Sequence, residues 1–163
     1  MTEPHQPETR GIALAPGTGA TVRNPVGGNI TLKLRGEDSN GTLAAWEAVT
    51  VAGEGPPLHV HVDVDEVVYV LDGSFRVKLD GAVQNAAPGA FIFIPRGVPH
   101  TWQNMGDGPG RVFFIVAPAG FETFFNRFAE LPDDASVAEK FRTLASEVDM
   151  EVVGPPLAES DPI

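Results

Sequence analysis

The sequence predicts an all-β fold, a barrel or sandwich of roughly ten short strands, followed by two helices. Three observations lead to this prediction. Short apolar runs, many alternating with polar residues, recur along the chain up to residue 117. The 18 glycines and 15 prolines separate these runs instead of forming a low-complexity block. Apolar residues at helical spacing follow only after residue 118.

The composition limits the partners. A chain of 163 residues with 42% hydrophobic residues fits one domain with a real core. Its formal net charge is −11, with 11 basic residues scattered among 22 acidic ones, so we expect neither nucleic acid nor an anionic membrane as partner. The absence of cysteine excludes disulfides and thiolate chemistry. No apolar run could cross a membrane and the first residues show no secretory signal, so we expect a cytoplasmic protein.

The first strands are expected at 20–24, 29–35 and 42–51, where Gly27–Gly28 and Asn40–Gly41 interrupt apolar segments. Residues 1–19 are expected to form an arm, loosely held up to about residue 10. His5 lies in this arm, where we expect a surface residue without a role.

Two Asp-Gly pairs punctuate the middle of the chain. Asp72–Gly73 and Asp80–Gly81 separate alternating runs, and Asp-Gly favours the two-residue type I′ hairpin turn. We therefore expect residues 66–71, 74–79 and about 82–86 to form an antiparallel meander. Three more strands should follow, in AFIFIP, in residues 99–104 and in RVFFIVAP.

Two amphipathic helices are predicted in the segment 118–150, packed on the β body. The first carries phenylalanine at 121, 124, 125 and 128, and the second carries Val137, Phe141, Leu144 and Val148 after a candidate N-cap, Ser136. A phenylalanine stripe is more often core than a ligand site. The proline-containing segment 151–163 is expected to be an extended tail.

The stretch GEGPPLHVHVDVDE, residues 53–66, alternates valine with polar residues and contains two of the four histidines of the chain. One interpretation is an edge strand with a solvated face. The other is a metal site, because His59 and His61 share one face of a strand and Glu66 follows. Asp63 and Asp65 are expected to face water or to orient a ligand indirectly.

A second pattern supports the metal site. Gly89 is followed at fixed spacing by Pro95, Gly97, His100 and Asn104, so every histidine except His5 belongs to one of the two patterns. His100 can add a third nitrogen from another strand. Three imidazoles and a carboxylate leave one or two coordination positions open, as a catalytic or ligand-binding metal requires.

The two patterns together resemble the motifs of the cupin superfamily, G-x5-HxH-x(3,4)-E-x6-G and G-x5-P-x-G-x2-H-x3-N, and both are complete here. The resemblance implies a cupin-type jelly-roll barrel over residues 20–117. It also implies one divalent transition metal per chain, with His59, His61, Glu66 and His100 as ligands. Fe, Mn, Ni, Co, Cu and Zn all suit such a ligand set.

A narrower resemblance joins PPLHVHVDVDEVVYVLDGSFRV, GAFIFIPRGVPHTWQN and RVFFIVAPAGFETFF to bacterial proteins similar to quercetin 2,3-dioxygenase. It implies a dioxygenase of an enolic or phenolic aromatic substrate, in which Glu66 is both a metal ligand and the catalytic base. Two alternatives stay open. One is a metal-dependent isomerase, decarboxylase or polyketide cyclase that uses the metal as a Lewis acid. The other is a small-molecule-binding barrel without catalysis.

Strand parity suggests which residues line the cavity. Val68 and Val70 share the parity of Glu66, and Trp102 shares that of His100. With Trp46, Phe91 and Phe93, they would form an apolar pocket suited to an aromatic substrate, although the same residues could simply fill a core. The sequence shows no lysine or arginine that clearly points inward to bind a substrate carboxylate. Four basic residues stay open as candidates: Arg35, Arg76, Lys78 and Arg111.

A homodimer is also expected. A jelly roll leaves free strand edges, and the residues 121–128 are rich in phenylalanine, so either surface could bind a second copy.

Overall fold

The computed structural model describes residues 10–132 and 135–163. They form eleven strands in two antiparallel sheets, three short α-helices and one 3-10 turn. The predictions about residues 1–9, including His5, lie outside the described residues. None of the described helices combines the length and the apolar character that crossing a membrane requires.

All secondary-structure elements described in the first half of the chain are strands, joined by turns and loops. Their bounds are β1 Ala20–Arg23, β2 Asn29–Leu34, β3 Ala44–Thr50, β4 Pro57–His61, β5 Asp65–Asp72, β6 Phe75–Leu79 and β7 Ala82–Ala86.

The second half ends in a mixture of helices and one further strand. The bounds are β8 Phe91–Ile94, β9 His100–Asn104, β10 Gly110–Ala117, α1 Thr123–Glu130, α2 Val137–Ala145, the 3-10 turn Ser146–Val148, β11 Met150–Pro156 and α3 Leu157–Ser160.

The strands make a jelly roll of two sheets. One sheet has the order β1-β2-β3-β10-β5-β8 and the other β11-β4-β9-β6-β7. Apolar side chains from both sheets meet between them, among them Trp46, Val68 and Val112 from the first and Phe75 and Val77 from the second. The predicted all-β, cupin-type jelly-roll fold is confirmed.

The predicted meander is correct for β6 and β7 but wrong for β5. Asp80 and Gly81 have φ of 48° and 82°, as a type I′ turn requires, and β6 pairs with β7. At the other Asp-Gly pair only Gly73 has a positive φ, 95°. That connection is not a type I′ hairpin, and the chain crosses from the six-stranded sheet to the five-stranded one.

The two predicted helices are present and pack against each other through phenylalanine. Phe124 and Phe128 of α1 and Phe141 of α2 are buried, and the rings of Phe124 and Phe141 are 5.0 Å apart. Ser136 is the N-cap of α2 and forms a capping box with Glu139, in which each residue bonds the backbone N–H of the other. The stripe is therefore part of the core, as expected.

The C-terminal segment contains a strand that the sequence analysis did not identify. Within the segment expected to be a tail, β11 pairs antiparallel with β4, and Val152 lies opposite His59. Its pairing shifts register around Gly154, next to two prolines, because proline cannot donate to a ladder and is tolerated at a sheet edge. The segment then ends in α3, whose Leu157 is fully buried.

Candidate metal centre

Three histidines converge inside the barrel. His59 and His61 point inward from β4, and His100 begins β9, where it is the direct cross-strand partner of His59. Their exposed fractions are only 5%, 2% and 1%. The solvated-edge interpretation of this stretch is therefore wrong, because the histidine face of β4 looks into the barrel.

Backbone carbonyls fix the orientation of two of the rings. Nδ1 of His59 lies 2.8 Å from the carbonyl oxygen of Pro57, and Nδ1 of His100 lies 2.9 Å from that of Val98. A neutral imidazole has one N–H, so Nδ1 carries the proton in each case and Nε2 keeps its lone pair. In both histidines the free nitrogen is thus the one available to a metal.

Glu66 brings a carboxylate to the histidines from the opposite sheet. Its Oε2 lies 2.9 Å from Nε2 of His61 and 3.8 Å from Nε2 of His100, and the residue is 4% exposed. Within the described part of the chain, neither ring nitrogen of His61 nor Nε2 of His100 has a hydrogen-bond partner. Buried polar atoms without partners are rare, and the Nε2 atoms of His61 and His100 both lie beside the Glu66 carboxylate.

These unpaired atoms fit a bound metal ion. The ligand nitrogens of the three histidines all lie within 4.8 Å of one another. Two ligands bound at right angles, each about 2.1 Å from an ion, are about 3 Å apart. The 2.9 Å between His61 and Glu66 matches that spacing. Three buried histidines can therefore hold a metal ion, and Glu66 is placed beside two of them.

The pKa shifts of His59 and Glu66 suit metal binding, whereas that of His100 favours its protonated form as long as Glu66 is its partner. Burial lowers the pKa of His59 well below its ordinary value, and the neighbouring His100 and His61 lower it further. Burial would raise the pKa of Glu66, but its contacts with His100 and His61 outweigh burial and hold the pKa of the carboxyl below its ordinary value. Burial lowers the pKa of His100, and the contact with Glu66 more than reverses this.

A bend between β4 and β5 sets the position of Glu66. Val62 and Asp63 are both exposed, so the alternation of β4 breaks there. Glu66 then points inward, whereas Asp65 points outward and pairs with Arg96 through two side-chain contacts of 2.9 and 3.0 Å. Asp65 thus ties β5 to the turn that precedes His100, and the same turn bonds β4 through Gly97 N–H and the His61 carbonyl at 2.7 Å.

An aromatic cavity of about 60 Å³ adjoins the histidines. Of the predicted pocket residues, Trp46 and Trp102 line it. Val68 and Val70 point inward and are buried, but they belong to the core and do not line the cavity.

Phe91 and Phe93, also predicted to line the pocket, lie on the outer surface instead. They are 65% and 51% exposed, whereas Ile92 and Ile94 of the same strand are buried. The inward side of β8 belongs to the isoleucines, so the placement of Phe91 and Phe93 in the pocket was wrong.

Phenylalanines that the sequence analysis assigned to the helical core complete the cavity wall. Phe121 places its ring edge-on to His61, with centroids 4.5 Å apart. The helices add Phe124, Phe125 and Phe141, and β10 adds Phe114. The spacing of the stripe predicted a buried face correctly, but nothing in the sequence indicated that this face closes over the histidines.

Among the residues that the structure describes, Glu66 is the only carboxylate that lines the cavity, and neither lysine nor arginine lines it. None of the four basic residues that the sequence analysis kept as candidates lines the cavity. Arg35 pairs with Glu37, Arg111 approaches Glu47, and Arg76 and Lys78 both bond Asp161. The described lining of the cavity therefore offers no lysine or arginine that could pair with a substrate carboxylate.

Asn104, the last residue of the second motif, has a structural role. Its side-chain amide donates to the carbonyls of Thr50 and Gly108, and its oxygen accepts from Gly106 N–H, each at 2.9 Å. These bonds satisfy the backbone of the turn between β9 and β10. Asn104 thus ends β9 without facing the histidines.

Comparisons with known proteins agree with the fold and the motifs. Residues 46–116 match the family model described as Cupin_2, cupin domain. Protein SchB of Streptomyces halstedii is 37% identical over 71 residues, which is 44% of this chain and 51% of that protein. Quercetin 2,3-dioxygenase of Bacillus subtilis is 41% identical over 51 residues, 31% of this chain and 15% of that enzyme.

A solved structure extends the likeness beyond the motifs. The polyketide cyclase RemF of Streptomyces resistomycificus superposes with a TM-score of 0.57 and 26% identity, covering 68% of this chain and 81% of that one. The two curated relatives named above are matched over about half of their length or less.

Proposed function

We propose that this chain, which carries a cupin domain over residues 46–116, is a mononuclear metal enzyme that deprotonates an enolic or phenolic aromatic substrate with Glu66. Oxygenation of the resulting enolate, as in quercetin 2,3-dioxygenase, is the reaction we place first. The proposed ligands of its single divalent transition metal are His59, His61, His100 and Glu66.

The observation that carries this proposal is the position of Glu66. A buried carboxylate contacts two unpaired imidazoles at the wall of a cavity that is otherwise aromatic and apolar. A buried carboxylate is costly to keep in such surroundings unless a metal ion or a proton transfer uses it. A base that must reach one hydroxyl proton of an aromatic substrate has to stand in this place.

The side chains divide the work. When bound, the metal supplies a Lewis acid that favours the deprotonated form of a substrate hydroxyl. Glu66 accepts the hydroxyl proton on a carboxylate oxygen, and its contacts with two histidines hold that oxygen at the cavity wall. Trp46 and Trp102 provide flat apolar surfaces against which an aromatic ring can stack.

The phenylalanines of the cavity wall would limit the size of the substrate and the access of water to the site. The described cavity of about 60 Å³ is far below the several hundred Å³ typical of ligand sites. A flavonol-sized molecule therefore requires α1 and α2 to move outward. Phe121, which precedes α1 and contacts His61, would have to move with them. The same phenylalanines exclude water once the site closes, which protects a deprotonated intermediate.

A second function has its own support. RemF, named as a polyketide cyclase, is matched over 81% of its length, far more than the 15% of the quercetinase. Closing a ring in a polyketide also begins with removal of a proton beside a carbonyl or phenol. Glu66 and the aromatic cavity serve that reaction equally, and no oxygen is then consumed.

The test combines oxygen uptake with one substitution. Metal-loaded wild type is assayed on a panel of flavonols and poly-β-ketone phenols, with O2 consumption and product mass recorded together. Glu66→Gln retains an oxygen ligand but no base, so it should keep much of the metal and turn substrate over at least ~10²-fold more slowly. Glu47→Gln, which removes an outward carboxylate of β3, is the matched control and should behave as wild type.

Three outcomes separate the candidates. Product with O2 uptake supports the dioxygenase, and product without uptake supports the cyclase. Binding without any product would leave a non-catalytic barrel and overturn both. Wild-type turnover in metal-loaded Glu66→Gln would remove the base role.

A further inference from the structure

We propose that Phe121 is a positioning residue that holds the ring of His61 in place, and that movement of Phe121 loosens the metal site. This role rests on the proposed function, in which His61 is a metal ligand, and it adds a residue that acts on the site without ligating the ion. Opening of the cavity wall and weakening of the metal site would then be one event.

His61 lacks the bond that fixes the other two histidine rings. Nδ1 of His59 and Nδ1 of His100 each meet a backbone carbonyl, at 2.8 and 2.9 Å. Among the residues that the structure describes, His61 has no hydrogen-bond partner for either ring nitrogen, although the residue is only 2% exposed. Rotation of an imidazole about its Cβ–Cγ bond has broad, roughly two-fold preferences. Packing therefore has to set the orientation of this ring.

The backbone of His61 is firmly held, so any freedom lies in its side chain. The His61 carbonyl accepts from Gly97 N–H at 2.7 Å, and the N–H of the next residue, Val62, donates to the carbonyl of Asp149 at 2.8 Å. β11 lies alongside, with Met150 opposite His61. The Cα atom of His61 therefore stays in place whichever way the ring turns.

Phe121 makes the contact that can orient the ring. Its centroid lies 4.5 Å from that of the His61 ring, with the two planes 81° apart, an arrangement that aromatic pairs prefer. The rings of His59 and His100 are farther from His61, at 5.1 and 5.2 Å. Phe121 is itself 8% exposed and stacks on Trp46. It thus gives the His61 ring a packed surface to rest on.

The neighbouring Glu122 anchors this segment to the first sheet. Oε1 of Glu122 accepts from Gly36 N–H and Oε2 accepts from Gly120 N–H, both at 2.7 Å, and the residue is 7% exposed. Gly36 lies in the connection between β2 and β3. Bonds from backbone N–H groups to a carboxylate are strong, and they offset the cost of burying it. Glu122 thereby fixes the backbone beside Phe121.

Opening of the cavity would break this arrangement on one side only. Phe121 precedes α1 and follows Gly120, whose φ of 135° is one that residues with a side chain rarely adopt. When α1 moves outward to admit a substrate, Phe121 leaves His61. The His59 and His100 rings keep their carbonyl bonds, because Pro57 and Val98 do not belong to the moving helices. His61 is therefore the ligand that responds to the state of the cavity wall.

Zinc affinity tests the proposal. Phe121→Leu keeps an apolar side chain and removes the ring contact with His61. Titration of the metal-free protein with Zn²⁺, in competition with a chromogenic chelator, should show a dissociation constant raised by about 10- to 100-fold, as is typical when a group that orients a ligand is lost.

Phe125→Leu is the matched control. Phe125 is 7% exposed and lines the same cavity, but its described ring contacts are with Trp46, Phe121 and Phe124. It should lose a similar amount of packing and bind Zn²⁺ as wild type does. An equal loss of affinity in the two variants would overturn the positioning role, because general loosening of the wall would then explain both.

Relaxation of the imidazole carbons in the metal-free protein measures how firmly each ring is held. Loss of a phenyl ring changes nearby chemical shifts whatever its role, so the order parameter is the readout. That of His61 should fall in Phe121→Leu, and to a lesser extent in Glu122→Gln, which keeps the ring but replaces one acceptor oxygen by an amide NH₂. Those of His59 and His100 should stay as in wild type. A His61 ring that is as ordered in Phe121→Leu as in wild type overturns the proposal.

The two measurements separate this role from the proposed function. A wild type without affinity for Zn²⁺ would overturn both the proposed function and the effect of Phe121 on metal binding. A wild type that binds Zn²⁺, with affinity and ring order unchanged by Phe121→Leu, would overturn the role of Phe121 alone.

Discussion

Strands β4 and β8 both alternate between buried and exposed side chains, but β4 buries histidines and β8 buries isoleucines. In β4 the histidines are buried while Val60 between them is partly exposed, and in β8 the isoleucines are buried while the phenylalanines are exposed. Alternation in sequence therefore identifies two faces without saying which one is inside. In β4 the inside face is polar because it carries His59 and His61, two of the three histidines of the candidate metal site. In β8 the outside face is aromatic, although solvent reaches more than half of each phenylalanine side chain.

The largest effect should come from the inward face of β4. His59→Ala removes one of three buried imidazoles, and we expect metal content, measured on protein without a histidine tag, to fall to a small fraction of wild type. His100→Ala should do the same. Val60→Ala, between the two histidines on the outward side of β4, is the matched control, and His5→Ala is a second control from outside the described residues. Equal metal content in His59→Ala and Val60→Ala would contradict the site.

A second effect sharpens the comparison on β8. Ile94→Ala removes a side chain that is 2% exposed and should lower the free energy of unfolding by about 2–5 kcal/mol. Phe93→Ala removes a larger side chain that is 51% exposed, yet it should cost less than about 1 kcal/mol. Urea unfolding of both variants measures the difference. A larger loss for Phe93→Ala would mean that the two faces are assigned the wrong way round.

The contrast also shows what could be predicted. The histidines, Glu66 and the motif turns were found because their spacing reflects local geometry: two ligands on one strand face and turns of fixed length. The outward position of Phe91 and Phe93 could not be found, because it depends on which face of β8 meets the core. The crossing at Asp72–Gly73 was missed for a similar reason, since the pairing partner of β5 is set by tertiary packing.

The cavity wall shows the same limit. Helical spacing predicted that Phe121 and Phe125 are buried, but burial against a core and burial over a cavity have the same signature in sequence. β11 was overlooked because its prolines argue against a strand, and only its place at a sheet edge beside β4 makes them acceptable.

The smallest effect concerns the ion pair beside the bend that separates the inward Glu66 from the outward Asp65. The bonds from Arg96 lower the pKa of Asp65 to about 2, whereas an unfolded aspartate titrates near 3.9. A depressed carboxyl pKa stabilises the fold above the unfolded value, and this contribution is lost as the pH falls through about 2.

Asp65→Asn should accordingly be slightly less stable than wild type at pH 5 to 7, and the difference should shrink between about pH 4 and pH 2. Thermal unfolding across this range measures it. A difference that stays constant down to pH 2 would show that the variant acts through packing and not through charge.

The carbonyl bonds to Nδ1 of His59 and His100 have a consequence for how the protein would be loaded. Each ring is held by the residue two positions earlier in its own chain, Pro57 or Val98, and neither bond involves the ion. The ordering entropy of these side chains is therefore lost during folding, before any metal arrives. A chelator should strip the site without unfolding the barrel, and different divalent ions should then reload the same molecules reversibly. The ion found in purified protein would reflect supply in the cell as much as the preference of the ligands.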